Sequence, residues 1–457
     1  MNNVDVCVLG GGPAGYHAAI RAAQLGAKVA LVEEREVGGL CLNRGCIPTK
    51  AFLHAVGLLN EIKKSETYGV KVEKVQTDFS VMKRRADNII KRLVTGLKEC
   101  ISSNEIEMAL GHGRLISCNE VEVTAISGDS KAIECKKIVL ATGSKLLRRW
   151  DTEAVLPCDE FFTQDELPES LVILGANPVG LVLGHLSNSL GVKTIILDRS
   201  SNPLSQFDLE VSRRLLHVLR RHGVNVLVGT DALEVTGDNA KHILRLSNGE
   251  RLEAEKIVSA ERTGNTDNLG LSAVGVSLKD GFIVVDNRME TTAKGVYAAG
   301  DVTGSFSAEE AFHHGTVAAR NTVGEEATLS NLVPRCIYTT PEVASIGLTE
   351  DEARKKALDY RVGRFPFAAC GKAMCLDQGE GFIKLIVDSK HGEILGIHMI
   401  GPSVTEMIAG ASLAMYLEAT PEVVGDAIFP HPTLSEAFKE AALTVIGRSV
   451  HLPKTTS

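Results

Sequence analysis

A strand–turn–helix–strand pattern with a glycine-rich turn occurs twice in this chain, and it constrains the fold more than any other feature. The first copy is "VDVCVLGGGPAGYHAAIRAAQLGAKVALVE", which runs from Val4 to Glu33. An apolar strand, a G-x-G-x-x-G turn, an amphipathic helix and a second strand that ends in an acid are typical of a dinucleotide-binding unit. The predicted fold is therefore α/β, with two Rossmann-like nucleotide-binding domains.

The turn of the first copy has a separate use for each glycine. The first permits a tight turn, the second lets the backbone approach a pyrophosphate, and the third lets helix and strand pack closely. The helix N-terminus then faces the phosphates, and the terminal acid is placed to accept hydrogen bonds from a ribose diol. The predicted contacts of this copy are Gly10, Gly12, Pro13, Ala14, Gly15 and Glu33.

The second copy, "ESLVILGANPVGLVLGHLSNSLGVKTIILD", implies a second dinucleotide. Its acid lies 23 residues after its first glycine, as in the first copy. An acid there favours the free 2′-hydroxyl of NAD, although the next residue, Arg199, keeps NADP as an alternative. Asn177 replaces the middle glycine; its Cβ is expected to crowd the phosphate, although asparagine tolerates left-handed φ better than most residues. The predicted contacts are Gly175, Asn177, Val179, Gly180 and Asp198.

Two cysteines, Cys41 and Cys46, follow the first copy in "GGLCLNRGCIPTK". They are open to four interpretations: core residues, metal ligands, a structural disulfide or a chemical reagent. On an ideal helix, residues five apart are separated by about 7.5 Å of rise and about 140° of rotation. A disulfide needs Cα atoms roughly 4.4–6.8 Å apart, so a bridge here requires a distorted helical turn.

The composition argues against several classes of protein. The net charge of -8 gives no electrostatic basis for binding nucleic acid or an anionic membrane. The N-terminus lacks a signal-peptide pattern and no apolar stretch is long enough to span a bilayer, so a cytoplasmic location is expected. A disulfide framework is not expected, and no metal site is predicted. The remaining cysteines are predicted to be small buried residues: Cys7, Cys100, Cys118, Cys135, Cys158, Cys336, Cys370 and Cys375.

Several motifs occur in an order that matches a known family. They are "GGLCLNRGCIPTK" between the two fingerprints, then "ATGS", "GVYAAGDVTG", "YTTPEVASIGLTE" and "HPTLSEAFKEAA". Over essentially its full length the chain resembles the flavin-dependent pyridine nucleotide–disulfide oxidoreductases, and most of all the members that oxidise dihydrolipoamide. The resemblance implies FAD in the first site, NAD in the second, and electron transfer through a redox-active Cys41–Cys46 disulfide.

The resemblance also implies an organisation and partners. It gives an FAD-binding domain with the redox disulfide at 1–146, an NAD-binding domain at 147–264, a central domain at 265–332 and an α+β interface domain at 333–457. It implies a homodimer with shared active sites. The expected partner is a lipoyl-bearing protein of a 2-oxoacid dehydrogenase or of the glycine cleavage system.

The resemblance gives individual residues their roles. Cys41 becomes the interchange thiol, Cys46 the charge-transfer thiol, and Lys50 the cation near the flavin. Because thiolates are the reactive species, a base is needed, and His431 with Glu436 five residues later is the candidate pair. In the family this pair comes from the other subunit. The further FAD positions are Gly39, Cys41, Lys50, Gly113, Thr142, Gly143, Asp301 and Ala308.

The departures from the family pattern concentrate on the nicotinamide side. Val182 stands where the family has a glutamate, Asn177 replaces a glycine, and "AERTGN" shortens the usual "AxGRxPN". A further departure, Phe429, replaces a histidine near the candidate base. We therefore expect a normal dithiol–flavin step and a slow or altered flavin–NAD step.

Alternative functions follow from these departures. They are a related flavin disulfide reductase with another disulfide substrate or NADP(H), or a flavoprotein subunit with impaired nicotinamide exchange. Mercuric reductases have an extra cysteine pair near the C-terminus, which this chain lacks after Cys375. Soluble transhydrogenases share "RTGNTD" but lack the redox cysteines.

Overall fold

The computed structural model describes residues 3–150, 152–237 and 241–453. Its α-helices are α1 (Pro13–Gln24), α2 (Gly39–Asn43), α3 (Cys46–Lys64), α4 (Phe79–Ser103), α5 (Pro178–Ser189), α6 (Leu209–Arg221), α7 (Ala308–Thr322), α8 (Glu350–Lys355), α9 (Gly371–Cys375), α10 (Val404–Tyr416), α11 (Pro421–Asp426) and α12 (Glu436–Val445).

The strands are β1 (Val4–Leu9), β2 (Val29–Glu33), β3 (Glu107–Leu110), β4 (His112–Ser117), β5 (Glu120–Thr124), β6 (Ser130–Leu140), β7 (Ser144–Leu146), β8 (Val155–Pro157), β9 (Ser170–Leu174), β10 (Lys193–Asp198), β11 (Asn225–Val228), β12 (Ala232–Gly237), β13 (His242–Leu246), β14 (Arg251–Ala254), β15 (Lys256–Ser259), β16 (Arg262–Gly264), β17 (Leu278–Lys279), β18 (Phe282–Ile283), β19 (Val296–Ala298), β20 (Arg335–Ile337), β21 (Glu342–Gly347), β22 (Tyr360–Pro366), β23 (Phe382–Asp388) and β24 (Ile394–Gly401).

The chain forms two compact units, and each is built from two separate stretches of sequence. Unit 1 consists of Met1–Leu167 and Glu261–Ser330, and unit 2 consists of Pro168–Ala260 and Asn331–Ser457. The division into four domains stays a prediction.

Unit 1 is built around a sheet whose parallel part has the order β3-β2-β1-β6-β19. The strands β1 and β2 are buried along nearly all of their length, which explains their almost continuous apolar sequences. The long strand β6 also pairs antiparallel with β5, and β5 with β4. The carboxyl ends of β1, β6 and β19 meet at one edge, where α/β sheets bind their ligands.

Unit 2 contains a second parallel sheet and an antiparallel one. The parallel strands have the order β11-β10-β9-β15, with α5 following β9 as α1 follows β1. The antiparallel sheet has the order β20-β21-β24-β23-β22, and α10 and α12 contribute to the apolar core beside it. The predicted fold class, with two Rossmann-like folds and a C-terminal α+β part, is confirmed.

A buried cluster of charges joins the two stretches of unit 2. The Lys384 ammonium is 2% exposed, lies 3.0 Å from both carboxylate oxygens of Asp208 and is 2.6 Å from Glu350 Oε2. A buried cation needs such partners because burial without them costs several kcal/mol, on the order of 3–5 kcal/mol when one partner is removed. The cluster therefore fixes β23 against the start of α6.

Two of the eight additional cysteines differ from the prediction of burial. Cys100 and Cys375 are exposed, because Cys100 lies on the solvent face of α4 and Cys375 ends the short helix α9. Cys118 and Cys336 are only half-buried. Within the described ranges, no helix combines the length and the apolarity needed to cross a membrane.

Candidate active site

Two glycines of the first glycine-rich turn have no room for a side chain. Gly10 has a φ of +99°, and a Cβ there would lie 2.3 Å from the carbonyl oxygen of Ala141. A Cβ on Gly15 would lie 1.8 Å from the carbonyl oxygen of Gly10. Gly12 precedes α1 in extended conformation and provides no side-chain cap, so Pro13 and Ala14 open a helix whose N–H groups can face phosphate. The turn therefore fits the pyrophosphate of FAD.

Glu33 is engaged with the turn itself. Its Oε2 accepts a hydrogen bond of 2.6 Å from the Gly11 N–H, and its Oε1 accepts one of 2.7 Å from the Arg35 N–H. The carboxylate is 8% exposed. A carboxylate oxygen has a second lone pair, so the same group can also accept from a ribose hydroxyl. The role of Glu33 toward ribose stays a prediction.

The other predicted FAD positions of unit 1 surround the same edge of the sheet. Asp301 follows β19, Thr142 and Gly143 follow β6, and Ala308 begins α7. The Thr142 hydroxyl donates a 2.7 Å hydrogen bond to the Asn265 carbonyl. Gly113, in β4, packs against the side chain of Leu9 at the end of β1.

Gly39 connects the cysteine segment to the glycine-rich turn. It has a φ of +55°, and a Cβ there would lie 2.7 Å from the Cα of Gly12. Only glycine permits this approach of two backbones. The close contact places the start of α2, and with it Cys41, directly beside the predicted phosphate site.

The two cysteines lie on separate helices. Helix α2 ends at Asn43 and α3 begins at Cys46, so Arg44 and Gly45 form a break between them. Both cysteines are free thiols, and Cys41 donates a hydrogen bond to the sulfur of Cys46. The predicted distortion of a regular helix is therefore a complete interruption, which brings the two sulfurs together.

The environment makes the two thiols chemically unequal. The hydrogen bond from Cys41 lowers the pKa of Cys46 to about 7, with help from Lys50 and against the effects of burial, Glu309 and Asp301. The hydrogen bond to Cys46, together with burial, raises the pKa of Cys41 well above its ordinary value. In the reduced pair the thiolate therefore belongs to Cys46 and the proton to Cys41.

This asymmetry predicts a titration of the reduced protein. The Cys46 thiolate should be present above a midpoint near pH 7 and lost below it, because its pKa is lowered to about 7. Lys50→Gln should move the midpoint upward, since it removes a favourable positive charge. The measurement is the rate of iodoacetamide alkylation of Cys46 against pH, followed by peptide mass spectrometry. A midpoint at about 8.5, the value of an ordinary thiol, would contradict the assignment.

His431 and Glu436 form a hydrogen-bonded pair in unit 2. His431 Nδ1 lies 2.8 Å from Glu436 Oε1, and Glu436 Oε2 accepts a 2.8 Å hydrogen bond from the Thr433 N–H. Burial opposes the shift, but the bonds from Thr433 and His431 lower the pKa of Glu436. The imidazole is 76% exposed, so its Nε2 is available to another molecule. This is the geometry of a base held by an orienting carboxylate.

The second glycine-rich turn repeats the first in detail. Asp198 Oδ2 accepts a 2.7 Å hydrogen bond from the Ala176 N–H, as Glu33 does from Gly11. Gly175 has a φ of +99°, and a Cβ on Gly180 would lie 2.0 Å from the Gly175 carbonyl oxygen. The two nucleotide sites therefore share one backbone design.

Asn177 changes what the second turn offers to a ligand. Its φ of -73° and ψ of 173° nearly match those of Gly12, so this position needs no left-handed φ and its Cβ causes no backbone strain. Its Oδ1 accepts a 3.0 Å hydrogen bond from the Gly180 N–H, and its Nδ2 donates to the Ala260 carbonyl. One N–H at the start of α5 is thus already used by the protein. Val179 is half exposed and Val182 is buried.

Some residues of the site were not predicted from the sequence. The charge of Glu309, in the first turn of α7, raises the pKa of both redox thiols. Arg262 and Asp159 form an ion pair near Asp301. Glu309 and Asp159 lie outside the quoted motifs, Arg262 lies in "AERTGN" without a predicted role, and the partners of all three are distant in sequence. Among the described residues, no group of three or more His, Cys, Asp or Glu side chains is placed to hold a metal ion.

The comparison with family models decides the assignment of the chain. Residues 4–322 match the model of the pyridine nucleotide-disulphide oxidoreductases, and residues 333–442 match the dimerisation domain of the same family. The chain belongs to this family. Membership confirms the predicted oxidoreductase class and the use of FAD and NAD. The C-terminal match supports dimerisation of the chain.

Individual relatives extend over the full length. The chain is 36% identical to the dihydrolipoyl dehydrogenase of Bacillus subtilis, with 98% of this chain and 99% of the relative covered. It is 38% identical to that of Thermus scotoductus, with 99% of each covered.

Solved structures share the fold. LpdA (Rv3303c) from Mycobacterium tuberculosis superimposes with a TM-score of 0.89 at 24% identity, and the match covers 97% of this chain and 99% of that one. The HOCl-induced flavoprotein disulfide reductase RclA from Escherichia coli gives a TM-score of 0.84 at 25% identity, with 96% and 100% covered.

Proposed function

We propose that this protein is a dihydrolipoyl dehydrogenase, which oxidises the dihydrolipoyl groups of a carrier protein with NAD+. The observation that carries the proposal is the unequal pair of thiols at the helix break, one a thiolate near neutral pH and the other protonated. A dithiol substrate needs such a pair as its exchange partner. The names of the full-length relatives support the same activity.

The dithiol exchange follows from the two thiols. A substrate thiolate attacks Cys41 Sγ of the Cys41–Cys46 disulfide, so that a mixed disulfide forms and Cys46 leaves as the thiolate. The second substrate thiol then attacks the substrate sulfur of the mixed disulfide, which releases Cys41 and the cyclic lipoyl disulfide. When bound, FAD would supply the two-electron transfer between the reduced Cys41–Cys46 pair and NAD+. The better leaving group is the thiol of lower pKa, and that is Cys46.

His431 supplies the base that the exchange requires. Each substrate thiol must lose a proton, and the exposed Nε2 of His431 is the atom that accepts it. Glu436 fixes the tautomer through Nδ1 and stabilises the imidazolium that results. We propose that His431 and Glu436 of one subunit act at the Cys41–Cys46 site of the other. The working unit is then a homodimer with shared active sites.

The nicotinamide half of the reaction is the part that this chain has altered. The Asn177 side chain accepts the hydrogen bond of the Gly180 N–H, which a phosphate would otherwise accept. Val182 places a buried apolar side chain where the family has an acid. We infer that exchange between flavin and NAD is slower than exchange between the dithiol and flavin. A flavoprotein subunit with impaired nicotinamide exchange is the second candidate, and the same two residues favour it.

Anaerobic stopped-flow reduction tests the proposed function. The holoenzyme is mixed with dihydrolipoamide or with NADH, and flavin absorbance is followed. We expect rapid reduction by dihydrolipoamide and slower reduction by NADH. Failure of dihydrolipoamide to reduce the flavin would refute the activity, whereas fast reduction by NADH would refute only the altered nicotinamide step.

Asn177→Gly should improve nicotinamide binding. The substitution frees the Gly180 N–H for phosphate and makes this position identical to Gly12. One such bond, at about 1–1.4 kcal/mol, corresponds to an affinity for NADH about 5- to 10-fold higher. Stability should change by only about a few tenths of a kcal/mol, because glycine is itself an acceptable N-cap.

Titration calorimetry with NADH measures this effect. Thr420→Gly is the matched control, since Thr420 caps α11 in unit 2 and lies outside the fingerprint. It should leave NADH affinity unchanged. Weaker binding by Asn177→Gly would show that the asparagine contacts the nucleotide favourably.

The biological partners remain part of this proposal. The substrate is a lipoyl-bearing protein of a 2-oxoacid dehydrogenase or of the glycine cleavage system, and the location is the cytoplasm. Neither nucleic acid nor a membrane is proposed as a partner. NADP(H) as the nucleotide, or a different disulfide as the substrate, would show in the same stopped-flow survey.

A further inference from the structure

A path of polar side chains in unit 1 connects Asp301 to the break between the cysteines. Its members are Asp301, Ser144, Arg262, Asp159 and Arg44. At the Asp301 end, the carboxylate Oδ2 accepts a 2.6 Å hydrogen bond from Ser144 Oγ. Arg262 in turn donates to Ser144 twice, from Nε to Oγ at 2.8 Å and from Nη2 to the carbonyl oxygen at 2.7 Å.

These bonds fix the direction of the Ser144 hydroxyl. A serine has one hydroxyl proton, and Ser144 Oγ already accepts from Arg262, so that proton is donated to Asp301. Burial raises the pKa of Asp301, and the Ser144 bond and the Arg262 charge oppose that rise. Arg262 therefore keeps Asp301 oriented as a hydrogen-bond acceptor.

The other end of the path lies at the cysteine break. Arg262 Nη1 donates to Asp159 Oδ1 at 3.1 Å, and Asp159 Oδ2 lies 3.9 Å from Arg44 Nε. Arg44 Nε is buried and has no hydrogen-bond partner within the described part of the chain. Arg44 and Asp159 also line a cavity of about 180 Å³. Among the described residues, Asp159 is the carboxylate within ion-pair distance of this guanidinium.

We propose that Asp159 and Arg262 are positioning residues that couple the cysteine break to the carboxylate that holds FAD. Asp159 is the link between the two arginines, since one of its carboxylate oxygens pairs with Arg262 and the other lies 3.9 Å from Arg44 Nε. Opening or closing of the disulfide displaces Arg44, and the displacement reaches Asp301 through Asp159, Arg262 and Ser144. The proposal rests on the proposed function in one respect, that Asp301 binds FAD.

Asp159→Asn tests the link between Arg44 and Arg262 directly. We expect the apoprotein to bind FAD about 10-fold more weakly by fluorescence titration, because two guanidinium groups lose their shared anion. The reduced holoprotein should also show an altered thiolate–flavin absorbance band. Asp165→Asn is the matched control, since Asp165 lies in the same segment, pairs with Lys83 and is 98% exposed. It should change neither quantity by more than about twofold.

A double-mutant cycle separates coupling from local damage. FAD affinity is measured for Arg44→Met, Ser144→Ala and the double variant, in the wild-type background and with Asp159→Asn. Arg44 and Ser144 have no direct contact in the described structure, so independent effects would simply multiply. With Asp159 present, we expect the FAD affinity of the double variant to differ at least about threefold from the value that multiplying the two single effects gives. With Asp159→Asn, we expect no such difference.

The outcomes of the cycle are distinct. Effects that multiply in the wild-type background overturn the coupling, even if each variant weakens FAD binding. A Ser144→Ala variant with unchanged FAD affinity overturns it for another reason, because the bond from Ser144 to Asp301 would then have no effect on FAD binding. Because lysine keeps the charge, Arg44→Lys should deviate less with Ser144→Ala than Arg44→Met does, and an equal deviation would contradict a role for the charge.

Discussion

His431→Gln is expected to lower kcat for dihydrolipoamide by about 100- to 10,000-fold, the usual contribution of a positioned general base. Glutamine retains a polar side chain of similar length but cannot accept the proton of a thiol at neutral pH. FAD binding should be unaffected, since the His431–Glu436 pair belongs to unit 2 and the glycine-rich FAD turn to unit 1. The measurement is steady-state turnover together with the absorbance of the bound flavin.

The chain offers a matched control for this variant. His451 Nδ1 lies 2.9 Å from Glu440 Oε1, nearly the distance in the His431–Glu436 pair, and Glu440 also follows Glu436 by one turn on α12. His451→Gln should therefore remove an equivalent hydrogen bond and leave turnover within about threefold. Equal losses in the two variants would show that the effect comes from disturbing α12 and not from the loss of a base.

Glu436→Gln should give a smaller loss than His431→Gln. The amide oxygen can still accept a hydrogen bond from the Nδ1–H of His431. It cannot stabilise the imidazolium with a full negative charge. Because the carboxylate holds both His431 and the Thr433 N–H, the amide should also orient the loop less well. Steady-state turnover of dihydrolipoamide, measured beside His431→Gln, checks this order, and a loss equal to that of His431→Gln would contradict it.

The sequence was sufficient for those parts of the site that depend on local backbone geometry. The positions Gly10 and Gly15 each have space for a hydrogen and no more, which is why the glycine spacing predicted the tight turn between β1 and α1. The pair His431 and Glu436 was also predictable, because a proline turn and a helix bring residues five apart together. In both cases the relevant contacts are made between residues close in sequence.

The parts that could not be predicted depend on contacts between distant segments. Asp159 and Arg262 are about a hundred residues apart, and the "AERTGN" motif that contains Arg262 does not indicate Asp159 as its partner. The break at Arg44 was also hidden, since the residues between the cysteines have no strong helix breaker except Gly45. The side-chain bonds of Asn177 could not be predicted either, because its Nδ2 donates to the carbonyl of Ala260, which is distant in sequence.

Cys46→Ser and Cys41→Ser are both expected to reduce turnover of dihydrolipoamide by more than about 1,000-fold, since neither variant can form the disulfide. Their spectra should differ. Cys41→Ser retains Cys46, whose thiolate lies on the α3 N-terminus near Lys50, so reduced-state thiolate–flavin absorbance should remain. Its midpoint should move above pH 7, because the largest cause of the lowered pKa is the hydrogen bond from Cys41.

Cys46→Ser should abolish that absorbance at every pH. Cys41 alone keeps a thiol whose pKa is raised by burial, so little thiolate forms at neutral pH. The two variants therefore distinguish the interchange thiol from the charge-transfer thiol by spectrum, even though both are inactive. The reverse result, with the band lost in Cys41→Ser and kept in Cys46→Ser, would exchange the two roles.

The same variants test whether active sites are shared between subunits. In a mixed dimer of Cys46→Ser and His431→Gln chains, shared sites give one intact site and one site with both defects. Random mixing should then restore about a quarter of wild-type activity, because about half of the dimers are mixed and each has one working site. Sites confined to one chain would leave every mixed dimer inactive, so an absence of recovery after verified subunit exchange excludes the shared arrangement.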